Sequence, residues 1–149
     1  MGYYVTLNSC KIRIPESDFP RICQHLLTTG FLTNTDSMSG GCYGGPDDGK
    51  RWYSWVDMAA LEKHLKSNDL SAVLEDFDFD VMHDNDGAIV DLCYDSKTGN
   101  EEELFDAMAP AMTGTTELFW SGECGAQWKW LIKNGELRVI DAVITYPED

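Results

Sequence analysis

The stretch Gly44-Gly45-Pro46-Asp47-Asp48-Gly49-Lys50-Arg51 comes nearest to a ligand-binding signature. Its spacing is that of a phosphate-binding loop, G-x-x-x-x-G-K, in which backbone N–H groups cradle phosphates and a following Ser or Thr hydroxyl holds Mg²⁺. Here Arg51 occupies the hydroxyl position, Asp47 and Asp48 would repel phosphate, and no apolar strand leads into the loop. A plain surface loop accounts for it. The functional alternative is a small enzyme or small-molecule binder using the glycine-rich loop 39–51, with Cys42, Tyr43, Lys50 or Arg51 in a pocket of ordered backbone N–H groups.

Other chemistries fail on spacing. An EF-hand loop started at Asp76 would put Val81 where glycine must turn and Gly87 where a bidentate Glu must sit. Asp84, Asn85, Asp86 and Gly87 read instead as an Asx-rich turn. The five cysteines, Cys10, Cys23, Cys42, Cys93 and Cys124, are odd in number and contain no C-x-x-C pair. They read as reduced thiols of a cytoplasmic protein. His25, His64 and His83 stand at no ligand spacing from them, so no metal and no cofactor is expected. No nucleophile has a recognisable catalytic signature, and the sequence leans away from an enzyme.

Around these residues the chain outlines one domain, 1–149, of α+β class. It calls for a largely antiparallel sheet of about six to seven strands, with three to four helices packed mainly on one face. Tyr3 to Leu7 alternates as a strand, Asn8-Ser9 reads as a turn, and Lys11–Ile14 as a short return strand. Phe19, Ile22, Cys23, Leu26 and Leu27 mark one helical face behind a cap at Ser17 or Asp18. Asp57 caps a second helix carrying Leu61 and Leu65, and Asn68 or Asp69 a third carrying Leu70, Val73 and Leu74. Asp76 to Val81 alternates acidic and apolar residues, which predicts a strand paired with Ala88–Tyr94. Glu101, Glu102 and Glu103 open a helix where its dipole favours anions. Two strands, Glu117–Ser121 and Gln127–Ile132, then lead to the hairpin signal Asn134-Gly135 and a last strand over 137–146.

Charge is the broadest functional signal. The net charge is −15, with 26 acids and 11 bases. Direct nucleic-acid binding and anionic membranes are excluded by that balance, because both need Lys and Arg. No apolar run approaches the ~20 residues that cross a bilayer. Residues 69–106 hold 13 of the acids and the single base Lys97, which concentrates the charge in one quarter of the chain. On the predicted strand, Asp76, Asp78 and Asp80 would project from one face roughly 6.6 Å apart. That is about twice the axial spacing of phosphates along one DNA strand. Such a row could occupy a basic groove. Asp84, Asp86, Asp91 and Asp95 extend the same acidic surface.

An acidic surface steers association, but affinity needs a desolvated anchor. Trp52, Tyr53 and Trp55 are the candidate anchors, while Trp128 and Trp130 share a strand face that reads as core. Three stretches together carry a resemblance: Gly2-Tyr3-Tyr4-Val5, Arg51-Trp52-Tyr53-Ser54-Trp55-Val56-Asp57, and Ser121-Gly122-Glu123-Cys124-Gly125-Ala126-Gln127-Trp128-Lys129-Trp130. The chain resembles small acidic proteins encoded by bacteriophages and mobile elements. In these, R-[YF]-x-S-W-V-D precedes a helix and G-E-x-G-x-x-W-x-W follows an L-F-x-x-[IM]-A-P helix. Leu104 to Pro110 fits that last helix. The resemblance brings no assigned residues. It implies a phage setting, in which small acidic proteins inhibit host proteins, defence nucleases among them. The reading is therefore a non-enzymatic acidic interaction module. Its partner would be a basic protein surface, that of a nucleic-acid-binding or defence protein.

Overall fold

Short amphipathic helices interspersed with tight hairpins bury their apolar faces most economically when the helices lie on one side of an antiparallel sheet. The computed structural model describes residues 3–33, 53, 55–143 and 145–147 and has that α+β architecture. In chain order the elements are β1 (Tyr4–Lys11), α1 (Phe19–Thr28), α2 (Met58–Lys66), α3 (Leu70–Asp76), β2 (Asp80–His83), β3 (Ile89–Cys93), β4 (Asp95–Lys97), α4 (Glu101–Met108), β5 (Thr116–Gly122), β6 (Gln127–Lys133) and β7 (Glu136–Asp141). The strands form a five-stranded sheet of order β4-β1-β5-β6-β7 and a two-stranded sheet β2-β3. All pairings among the described residues are antiparallel, and β7 stops at Asp141, short of the expected end at 146, because its partner β6 begins at Gln127. Trp52 and the glycine loop 39–51 lie outside the described residues.

Local chemistry accounts for most boundaries. Asp57 caps α2 by accepting from the N–H groups of Ala59 and Ala60 at 3.1 and 3.2 Å. Asp69, rather than Asn68, caps α3 through Ala72 N–H at 3.1 Å. Asp18 precedes α1 without capping it, because its carboxylate is taken by Arg21 at 3.0 Å. Asn134 and Gly135, at φ 55° and 79°, make the two-residue turn between β6 and β7. Left-handed values at both positions match the twist of the strands it joins.

Two expectations need correction. Asn8-Ser9 is not a turn: β1 runs through it, and the register against β5 slips between Leu7 and Ser9. This bulge keeps one strand where the sequence pattern had read two, and it sets Cys10 opposite the buried Leu118. Of the expected return strand, only a single bridge remains, from Ile14 to Ile89.

The second correction is at Asp76–Asp80. Asp76 is the last residue of α3, and the strand begins only at Asp80. Phe79 N–H reaches Leu74 C=O at 3.1 Å, and Asp78 N–H reaches Glu75 C=O at 3.0 Å, with Asp78 left-handed at φ 72°. This is the paired C-terminal closure in which a helix end satisfies its own carbonyls. It wins over the strand alternation because α3 is fixed by three fully buried side chains, Leu70, Val73 and Leu74. Asp76, Asp78 and Asp80 therefore form no evenly spaced row.

The core is joined by aromatic rings contributed from both layers. Phe79 lies 5.0 Å from Tyr94, 5.3 Å from Phe105 of α4 and 6.2 Å from Trp120 of β5. Trp120 in turn packs 4.6 Å from Trp130 of β6, which meets Phe105 at 5.5 Å. Trp130 is buried as its strand pattern predicts, while Trp128 is only partly covered at the margin of the core. Phe79→Ala opens a cavity at the junction of the layers and should cost about 3–5 kcal/mol in urea unfolding. A cost below about 1 kcal/mol would show that the cluster does not join them.

Candidate interaction surface

The segment Tyr53 to Asp57 separates two aromatic residues that a strand would place on one side. Tyr53 points inward: it is 3% exposed, stacks 4.7 Å from Phe31, and donates its hydroxyl to Phe31 C=O. It cannot serve as a docking anchor, because Phe31 and Phe77 already enclose its ring. Trp55 points outward and is 63% exposed. The reversal comes from its backbone, left-handed at φ 61°. A bulky residue pays for that conformation, so the surrounding structure must hold it there. Val56 N–H to Tyr53 C=O at 3.2 Å and the Asp57 cap close the turn on either side.

Beneath the Trp55 ring lies Gly99. A Cβ at Gly99 would stand 3.1 Å from the ring edge, so a larger residue would displace the indole. The Gly99 loop is held by Glu101, which is 4% exposed. Its carboxylate accepts from Gly99 N–H at 2.7 Å and from the Thr98 hydroxyl. Thus the Trp55 platform rests on the first turn of α4. The same shallow crevice is lined by Asp76, Phe77, Asp78, Tyr94 and Asn100. Asp78 is exposed there. Its charge, after burial and the charge of Glu101, helps to push the Tyr94 phenol well above its ordinary range.

The other acids divide by what holds them. Asp76 is engaged by His64, at 2.6 Å between carboxylate oxygen and Nδ1, and burial raises its pKa. Asp84 accepts from Arg13 at 2.6 Å and from the N–H groups of Asp86 and Ala88 at 2.9 and 3.0 Å, so it organises the β2–β3 turn. Asp91 is half-buried and accepts the Cys10 thiol at 3.0 Å. Asp80 and Asp86 are exposed on the hairpin. Asp95 lies on the five-stranded sheet, opposite Thr6, whose hydroxyl it accepts at 3.2 Å. Of the sequence candidates, then, Trp55, Asp76 and Asp78 come together. Asp84 and Asp91 are spent on structure, and Asp95 belongs to another sheet.

Two arrangements escaped the sequence reading. Ser71 Oγ lies 2.6 Å from His83 Nε2 in an open groove that also holds Glu16 and Asp69. The slip in register between Met82 and His83 falls at this histidine. Among the described residues, none is seen to hydrogen-bond His83 Nδ1, the position from which a general base is oriented. At the β5–β6 turn, the Tyr3 hydroxyl sits 2.7 Å from Cys124 Sγ. That bond, with help from Ala126 N–H, holds the exposed Cys124 thiol below its ordinary pKa. The glycine-rich turn around Cys124 was visible in the sequence, but Tyr3 is 121 positions away. No family model, curated protein or solved structure matches the chain.

Two outcomes follow from these geometries. Burial pushes the Cys10 thiol up to about 12 and Cys23 to about 11. Iodoacetamide at neutral pH should therefore label Cys124 well before either, and Tyr3→Phe should slow that labelling. Equal rates at Cys124 and Cys23 would contradict the burial of Cys23, and an unchanged Cys124 rate in Tyr3→Phe would contradict the effect of the hydrogen bond. Asp84 has its pKa lowered chiefly by the Arg13 bond. Its stabilising effect is complete above the unfolded carboxylate value of about 3.9 and is lost as pH falls through the lower folded value. Asp84→Asn should flatten the fall of the urea midpoint in that acid range, and an unchanged slope would remove Asp84 from the account.

Proposed function

We propose that this protein is a non-enzymatic interaction module whose docking surface is Trp55 with its acidic surround, and whose partner is a basic protein surface. The observation that carries the reading is the exposed Trp55, locked in a costly left-handed conformation over Gly99 and beside Asp78. Exposed tryptophans in ordered surroundings are typical energetic anchors of interfaces. The carboxylate flank would steer a cationic partner and the indole would supply desolvated contact. Arg is the natural counterpart, since its guanidinium can stack on an indole face while pairing with a carboxylate. In its narrower form the proposal takes the partner to be a host nucleic-acid-binding or defence protein, as the resemblance to phage-encoded acidic proteins implies. Imitation of a phosphate row has lost its geometric argument, because the three carboxylates do not lie on one strand.

The test is capture of partners from host lysate on the immobilised protein, with washes at low and high salt, followed by affinities of variants. Trp55→Ala should weaken binding at least tenfold, or about 1.4 kcal/mol. Asp78→Gly should weaken it several-fold, although glycine suits that left-handed position and should leave stability equal or higher by up to about 1 kcal/mol. Asp86→Asn, at the hairpin turn, should change little. Equal losses from all three would indicate diffuse attraction to a chain of charge −15 rather than a site. Full affinity in Trp55→Ala would dismiss the anchor.

A further inference from the structure

Among the described residues, the helices cover the inner face of the five-stranded sheet and none packs on the other. Val5, Leu7, Leu118, Trp120, Trp130 and Ile132 face inward and belong to the core. The register places Phe119, Leu131 and Ile140 on the opposite side. All three are half-buried, yet none belongs to the core or packs against it. Tyr4, 47% exposed, stands on the same face opposite Lys97. A groove of about 330 Å³ runs over Phe119, Lys129 and Ile140 toward the exposed Val143.

Charge on this face departs from the rest of the molecule. Alternation from the same register puts Lys11, Lys97, Lys129, Lys133 and Arg138 here, against Asp95, Glu117 and Glu136. With Asp141, which also lines the groove, five cations stand against four carboxylates, on a chain that totals −15. The signs are also interleaved: Lys11 stands opposite Glu117, and Lys129 Nζ lies 2.9 Å from the same Glu117.

We propose that this outer sheet face is a self-association surface on which a second copy of the chain packs, sheet on sheet, about a two-fold axis. Two such molecules repel through their net negative charge, and the mixed charge of this face makes that opposition smallest here, though it does not abolish it. A two-fold brings the same mixed set to both sides, so cations of one copy can meet carboxylates of the other around a centre of Phe119, Leu131 and Ile140. Two aligned sheets about 10 Å apart are a standard packing for such faces. Five strands spaced about 4.8 Å apart give a modest footprint, which points to a weak, concentration-dependent dimer.

Sedimentation equilibrium of the full chain over about 5–500 µM, a range suited to weak association, reads this directly. The dimer should tighten several-fold between low and high NaCl, since salt screens the repulsion between two net-negative molecules. Leu131→Asp should weaken it at least tenfold, with an unchanged urea midpoint because Leu131 lies outside the core. Should Leu131→Asp fail to fold, Arg138→Glu on the exposed part of β7 tests the same face and should weaken the dimer several-fold. Monomer at every concentration and salt overturns the proposal. So does a dimer indifferent to both substitutions. Open-ended assembly that dissolves with salt also overturns it, because it would mean acidic surface meeting basic face head to tail.

Discussion

The packing of Phe79, Tyr94, Phe105, Trp120 and Trp130 against one another is the contact on which the rest of the molecule depends. These rings come from the α3–β2 connection, the β3–β4 junction, α4, β5 and β6. They are the points where helices, small sheet and large sheet touch. Large rings bury much apolar area at a low cost in side-chain entropy, which a chain of this size needs. The indole N–H groups of Trp120 and Trp130 are buried without a hydrogen-bond acceptor among the described residues.

With the centre given to aromatic rings, several of the acids sit at element ends and turns, where they do different jobs. Asp57 and Asp69 cap helices, Asp84 ties a turn, and Glu101 turns inward to fix the loop of Gly99. Asp78 differs. It occupies a left-handed helix-closing position that glycine fills at lower cost, and it sits beside a tryptophan that is also left-handed. Two left-handed residues thus lie side by side, Asp78 closing α3 and Trp55 turning its indole out to solvent. Among the acids of residues 69–106, Asp76, Asp84, Asp91 and Glu101 hold neighbouring groups in place, while Asp78 faces solvent beside Trp55.

The sequence made the architecture legible wherever one local rule acted alone. The 3.6-residue period of α1, the Asp57 cap and the Asn134-Gly135 turn all appear in the structure. It misled where two rules competed. Asp76-Phe77-Asp78-Phe79-Asp80 satisfies strand alternation, yet the buried face of α3 extends the helix through Asp76 and the chain closes through Asp78. Asn8-Ser9 has turn chemistry, yet pairing with β5 on both sides keeps the strand intact around a bulge. Of the candidate site, Trp55 and Asp78 could be named from composition and charge. Their proximity could not, because it depends on a positive φ at each and on Gly99, more than 40 positions from Trp55. Tyr53 could not be told from Trp55 by type, since only the backbone reversal sends one ring inward and the other out.

A cationic partner docking as proposed would engage Trp55 and leave the aromatic core untouched. Nuclear magnetic resonance of the indole N–H signals during titration with an arginine-rich peptide tests it most directly. The account predicts that the Trp55 signal shifts and saturates, while those of the buried Trp120 and Trp130 remain in place. A Trp55 signal that stays fixed while backbone signals elsewhere on the acidic surface move would contradict it.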